Sequence, residues 1–178
     1  MDRTKTGLTG EFYVLAQLIQ RGFVATFTLG NTKGVDILVS NPDLNKLFKV
    51  EVKTSDRPPG HESLFSSERC YGWPMNSKHE HISEANLFYC FVALQGYNKL
   101  PLFFVVPSAY VALYVREEHE YWLRMRKNKV AETTIRRFRI PISDPMDFGN
   151  NWDILMGGNI PESQLTLHDP WYPRSTAT

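Results

Sequence analysis

Hydrophobic positions in this chain recur with two different periods, and the change from one to the other outlines its elements. Leu8, Phe12, Leu15 and Ile19 fall at i, i+4, i+7 and i+11, the spacing of one helical face, and predict a helix over residues 6–20. Thr6 or Thr9 supplies a cap and Gly22 a stop. Residues 23–29 are β-branched and aromatic and predict a first strand. After a turn at 30–34 the period drops to two. Val35, Ile37 and Val39 alternate with Asp36, Leu38 and Ser40; Phe48, Val50 and Val52 alternate with Lys49, Glu51 and Lys53. Residues 41–45 form the turn between these two strands.

Further along, no period is visible over 61–81, which predicts a long irregular loop, followed by a helical stretch before the next strand. Residues 87–94 and 102–106 are nearly unbroken apolar runs, expected as a hairpin of strands buried on both faces. Ser108 opens a helix running toward Arg116, and 117–127 reads as a further helical stretch. An edge strand is expected at 135–140, a short capped helix at 143–147 and a helical turn at 152–155, before a polar tail.

Pairing the two alternating strands places chemistry on one face. A turn centred between Asp43 and Leu44 sets Ser40 opposite Leu47 and Asp36 opposite Glu51. Facing carboxylates repel and destabilise a strand pair. A divalent cation, which takes hard oxygen ligands, would remove that cost. Lys53 follows two residues after Glu51 on the same face. On the preceding helix, Glu11 lies about 60° from the centre of the apolar stripe at about 100° per residue, close to an otherwise buried face.

Composition narrows the classes. At 178 residues the chain suits a single domain, 1–178, and its 42% hydrophobic and 13% aromatic content exclude a disordered chain. The formal net charge of +1 names no partner, but residues 116–139 carry eight Lys/Arg against four Glu. Two cysteines make no disulfide framework and suggest a reduced, cytoplasmic protein. The first six residues are charged and polar, so no leader peptide is expected there. No apolar run approaches the roughly 18 residues of a membrane span, so no membrane partner is expected. Cys70, His79, His81 and Cys90 do not have paired zinc-ligand spacing, and no glycine-rich phosphate loop is present.

Asp36, the triplet Glu51-Val52-Lys53, the strands around them and the preceding helix with Gly10-Glu11 resemble the PD-(D/E)xK nuclease superfamily. This is the restriction-endonuclease-like fold, and the chain looks most similar to its Holliday-junction-resolvase-like branch. The resemblance covers roughly residues 7–107; Val35 stands where many members carry proline. It implies an α/β (α+β) fold with an αβββαβ core, a central mixed sheet flanked by helices. Residues 108–158 are then a helical and strand extension and 159–178 a tail.

The same resemblance implies metal-dependent phosphodiester hydrolysis, as a DNA endonuclease. Asp36 and Glu51 would hold Mg²⁺ (or Mn²⁺), Glu11 would reach it directly or through water, and the Val52 carbonyl would be a further ligand. Lys53 would orient the attacking water or stabilise charge at phosphorus. Lys33, Lys49, Arg57 and Lys78 are candidates for holding the nucleic-acid backbone, being near the site in sequence. Members that cut two strands often dimerise, so a homodimer is compatible. The alternative is a catalytically inactive nucleic-acid-binding or protein-interaction module on the same fold, to which the basic stretch with Arg136, Arg137 and Arg139 points. For Trp73 the choice is between stacking on a base and anchoring the core or a loop, with anchoring favoured.

Overall fold

A computed structural model describes residues 2–28, 34–41, 43, 45–125, 133–156 and 160. Helix α1 (Arg3–Gln20) leads into strands β1 (Val24–Phe27), β2 (Ile37–Asn41) and β3 (Lys46–Ser55). Strands β4 (Gly60–His61) and β5 (Arg69–Asn76) and a short 3₁₀ helix (Ser77–His81) follow. Then come β6 (Leu87–Ala93), β7 (Leu102–Pro107), helix α2 (Ser108–Met125), β8 (Ile135–Pro141) and a second 3₁₀ helix (Trp152–Met156). The central sheet runs β1-β2-β3-β6-β7. Only β3 and β6 are parallel, which makes it a mixed sheet flanked by helices, as expected.

Each face of the sheet has its own core. Val50 and Val52 of β3 and Phe88 and Cys90 of β6 pack with Val14 and Leu18 of α1 and with Trp152 and Leu155. On the other face Tyr89 and Phe91 of β6 meet Trp73, Phe138, Tyr110 and Tyr114. Every residue of β6 is buried, which explains why its sequence has no polar alternation. The β2–β3 register is the expected one, with Ser40 opposite Leu47.

Five local expectations are corrected. Residues 61–81 are irregular only over 62–68: β5 pairs with β4 and β8 in a separate three-stranded sheet whose inner side chains complete the second core. Its alternation is masked in the sequence by Gly72 and Pro74, which occupy exposed positions of β5. That sheet and a 3₁₀ turn stand where a helix was expected between β3 and β6, so the core departs from the simple αβββαβ order. Residues 108–125 form one continuous helix, and 143–147 are turns around Asp144 and Asp147, both at positive φ.

The fifth correction concerns α1. Its buried face is Thr6, Gly10, Val14 and Leu18, whereas Leu8, Phe12 and Ile19 are 49%, 56% and 54% exposed. The sheet selects the face by fit. A Cβ on Gly10 would stand 1.9 Å from Thr54 Oγ1, so this glycine lets the helix backbone come close to β3. The turns expected at 30–34 and 41–45 and the tail after 158 lie wholly or partly outside the described residues.

Trp73 is a core anchor, 1% exposed, and its Nε1 donates to the Val92 carbonyl at 3.0 Å. Trp73→Phe should cost about 1–3 kcal/mol in denaturant unfolding, through the lost bond and the smaller ring. The ring is not available to stack on a base.

Candidate active site

The site lies where β2 and β3 part. Regular pairing ends at Ile37 and Val50. One residue earlier, the Asp36 N–H still donates to the Val50 carbonyl at 3.0 Å. The Val52 N–H, however, donates to Asp36 Oδ2 at 2.7 Å. A side chain has taken over a ladder bond, which fixes the carboxylate between the diverging strands.

Alternation along β3 does the rest. Val50 and Val52 turn into the α1 core, so Glu51 and Lys53 point to the opposite face. Glu51 is buried, and Lys53 Nζ donates to its Oε1 at 2.5 Å. Glu51 Oε2 has no hydrogen-bond partner and lies beneath the turn at Gly34, whose φ of 80° suits only glycine. Glu11 approaches from α1, carried in by the close contact at Gly10. Burial, and then repulsion from Asp36, raise its carboxyl pKa, with Lys53 partly offsetting them. Burial also raises Asp36; the Val52 N–H and Lys53 oppose it, Glu51 adds to it, and Lys78 lowers it slightly. Three acids and one ammonium therefore sense one another at this point.

Raised carboxyl pKa values mean that the folded protein binds protons more readily than the unfolded chain. Stability from these groups is full below the ordinary values, 3.8 for Asp36 and 4.5 for Glu11, and is lost as pH rises through the higher folded values. Asp36→Asn keeps an oxygen acceptor for Val52 and removes the charge. It should raise the thermal midpoint at neutral pH and leave it unchanged in strong acid, as a pair of melting curves would show.

The donor set suits a hard divalent ion: two carboxylates in one cleft, a third from the helix, and a buried oxygen with no partner. Among the described residues, no three His, Cys, Asp or Glu side chains already converge closely enough to hold an ion. At Glu51, Lys53 is the counter-charge.

The outlying candidates divide. Lys78 is exposed and senses both Asp36 and His79, so it belongs to the rim of the site. Lys49 is engaged by Glu84 at 2.7 Å. Arg57 is exposed just beyond the end of β3, and its N–H donates to Ser55 Oγ at 3.3 Å. Lys33 lies outside the described residues. The described part of the basic stretch is divided: Arg116 and Arg124 are exposed on α2, but two of its arginines are buried. Arg136 is buried against Glu80, and Arg139 against Glu118 and Glu62. Arg137 remains exposed.

Two site neighbours were not legible in the sequence. Parallel pairing sets Tyr89 beside Glu51, and Tyr89 Oη lies 2.9 Å from His79 Nδ1. Tyr89 reads as one more core aromatic in an apolar run. Only the strand register, which the sequence does not carry, places it here.

Comparison with protein-family models finds no match, and comparison with curated proteins finds none either. Among solved structures, the chain is similar to a bacterial homing endonuclease, I-Ssp6803I, at a TM-score of 0.55 and 12% identity, over 88% of this chain and 95% of that one. The two share a fold, and the described residues have no helix long and apolar enough to cross a membrane.

Proposed function

We propose that this chain is a divalent-metal-dependent DNA endonuclease of the PD-(D/E)xK type. The observation that carries the reading is the Asp36 carboxylate, held on the Val52 amide where β2 and β3 separate, with Glu11, Glu51 and Lys53 around it. The fold shared with a homing endonuclease supports it independently.

The chemistry follows from what the residues can hold. A phosphodiester repels nucleophiles by its own charge. A divalent ion held by Asp36 and Glu51, with Glu11 and the Val52 carbonyl completing its protein ligands, would offset that charge and acidify a bound water. Asp36 is kept in place by the Val52 N–H, which engages one of its two oxygens. Lys53, partly exposed, offers its ammonium to the negative charge that grows on the phosphate during attack. Lys78 and Arg57, exposed nearby, can hold flanking phosphates.

Incubating the protein with supercoiled plasmid, single strands and branched junctions tests this, with Mg²⁺ or Mn²⁺ and with chelator. Cleavage that requires the metal supports the reading. Intact substrates in every metal, together with no heat on Mn²⁺ titration, would overturn it.

A further inference from the structure

Glu51 Oε2 poses a problem of supply. It is a buried carboxylate oxygen, and such an oxygen is stabilised by a donor. Lys53 is committed to Oε1. The hydroxyl within reach of the Glu51 carboxylate is that of Tyr89, the direct strand partner of Glu51 and fully buried. That hydroxyl has one proton, and its close partner is a histidine ring nitrogen whose role depends on the tautomer.

We propose that His79 and Tyr89 form a buried donor relay that fixes the Glu51 carboxylate. His79 Nδ1–H donates to the Tyr89 oxygen, and the Tyr89 O–H donates to Glu51 Oε2. The arrangement gives every proton a use. If Nδ1 were instead the acceptor, the phenol would spend its proton on His79 and Glu51 Oε2 would keep no donor.

The surroundings hold both rings in place. His79 is 3% exposed and sits in the 3₁₀ helix Ser77–His81, whose first turn is capped by Asn76 accepting from the Lys78 N–H at 3.1 Å. Its ring meets Tyr89 edge-on at 5.7 Å, and Tyr89 stacks on Phe91 at 5.8 Å. Burial, with Lys53 and Lys78 adding to it against an opposing effect of Glu51, lowers the His79 pKa to about 4, so the ring is neutral at physiological pH. A tyrosine phenol carries its proton at physiological pH, so Tyr89 has one to give. Both are positioning residues: they act on the site through Glu51.

The consequence for metal binding rests on the nuclease reading; the relay itself does not. Outer partners of ligating side chains typically change metal affinity about 10–100-fold. Tyr89→Phe should therefore raise the Mn²⁺ needed for half-maximal binding and cleavage about tenfold or more, with the rate at saturating metal much less affected. His79→Asn, which can donate from nearly the same place, should restore most of the affinity lost in His79→Leu.

The test begins without metal, on protein carrying ¹⁵N-labelled histidine, with His79→Asn used to assign the resonance. The relay predicts a neutral His79 with its proton on Nδ1; a proton on Nε2 overturns it. Calorimetric Mn²⁺ titration of the four proteins follows. Equal midpoints in wild type and Tyr89→Phe, or in His79→Asn and His79→Leu, also overturn it. If wild type itself binds no metal, the nuclease reading fails, while the tautomer still decides the relay.

Discussion

Replacing Lys53 with alanine should lower DNA cleavage by at least about 10²–10³-fold while leaving metal binding in place. The side chain pairs with Glu51 and acts on Glu11 and Asp36 by its charge alone, so its loss removes a positive charge from the reacting phosphate and takes no backbone bond from the sheet. Asp36→Asn should be as severe for a different reason. The amide still accepts from the Val52 N–H, so the strands keep their divergence, but the charge that would hold the ion is gone. Calorimetry separates the two: Lys53→Ala keeps its Mn²⁺ heat and loses rate, whereas Asp36→Asn loses both. Asp36→Ala is a poorer probe, because it strips the acceptor from the Val52 amide at a cost of about 1–3 kcal/mol. Lys53→Arg should recover little, since a planar guanidinium does not reproduce a compact ammonium against Glu51.

The largest expected effect on the fold comes from Gly10→Val. An added Cβ would fall 1.9 Å from Thr54 Oγ1 and 2.9 Å from both Thr54 Cβ and Cγ2. None of these atoms can move far, because Thr54 is paired with Val92 in the parallel β3–β6 ladder. The helix must therefore lift off the sheet. Overpacking of this kind costs about 1–3 kcal/mol, and the branched side chain places this case at the upper end. Lifting α1 also withdraws Glu11, so cleavage should fall further than stability does. Thr54→Ala in the same chain removes Oγ1 and Cγ2 and should recover part of both losses. Thermal melts and metal titrations on the single and double variants read the two effects separately.

How much of this was legible in the sequence depends on which forces set each feature. The β2–β3 pairing was readable because a period of two and a turn of fixed length determine it. The buried β6–β7 hairpin was readable because runs such as Leu87–Ala93 have only one fate. The α1 face was misread because hydrophobicity alone favoured Leu8 and Phe12. The contact was decided instead by the absence of a side chain at Gly10. The second sheet was hidden because β5 places Gly72 and Pro74 on its outer side.

The candidate site shows the same division. Asp36, Glu51 and Lys53 were legible because they lie on one locally paired unit. Tyr89 and His79 were not, because a parallel crossover of more than thirty residues, from Ser55 to Leu87, sets the register between β3 and β6. The arginines were misleading in the other direction. Arg136 and Arg139 look like a nucleic-acid surface in sequence, yet both are neutralised by glutamates brought from β4's neighbourhood, the 3₁₀ helix and α2.

In the proposed reading Asp36, Glu51 and Glu11 close on one divalent ion. Crystals grown with Mn²⁺ and measured for its anomalous scattering test it most directly. The account predicts one strong peak at the parting of β2 and β3, about 2.0–2.2 Å from carboxylate oxygens of Asp36 and Glu51, with Lys53 released from Glu51 Oε1. Crystals in which the Lys53–Glu51 pair persists and no peak appears between the strands would contradict it.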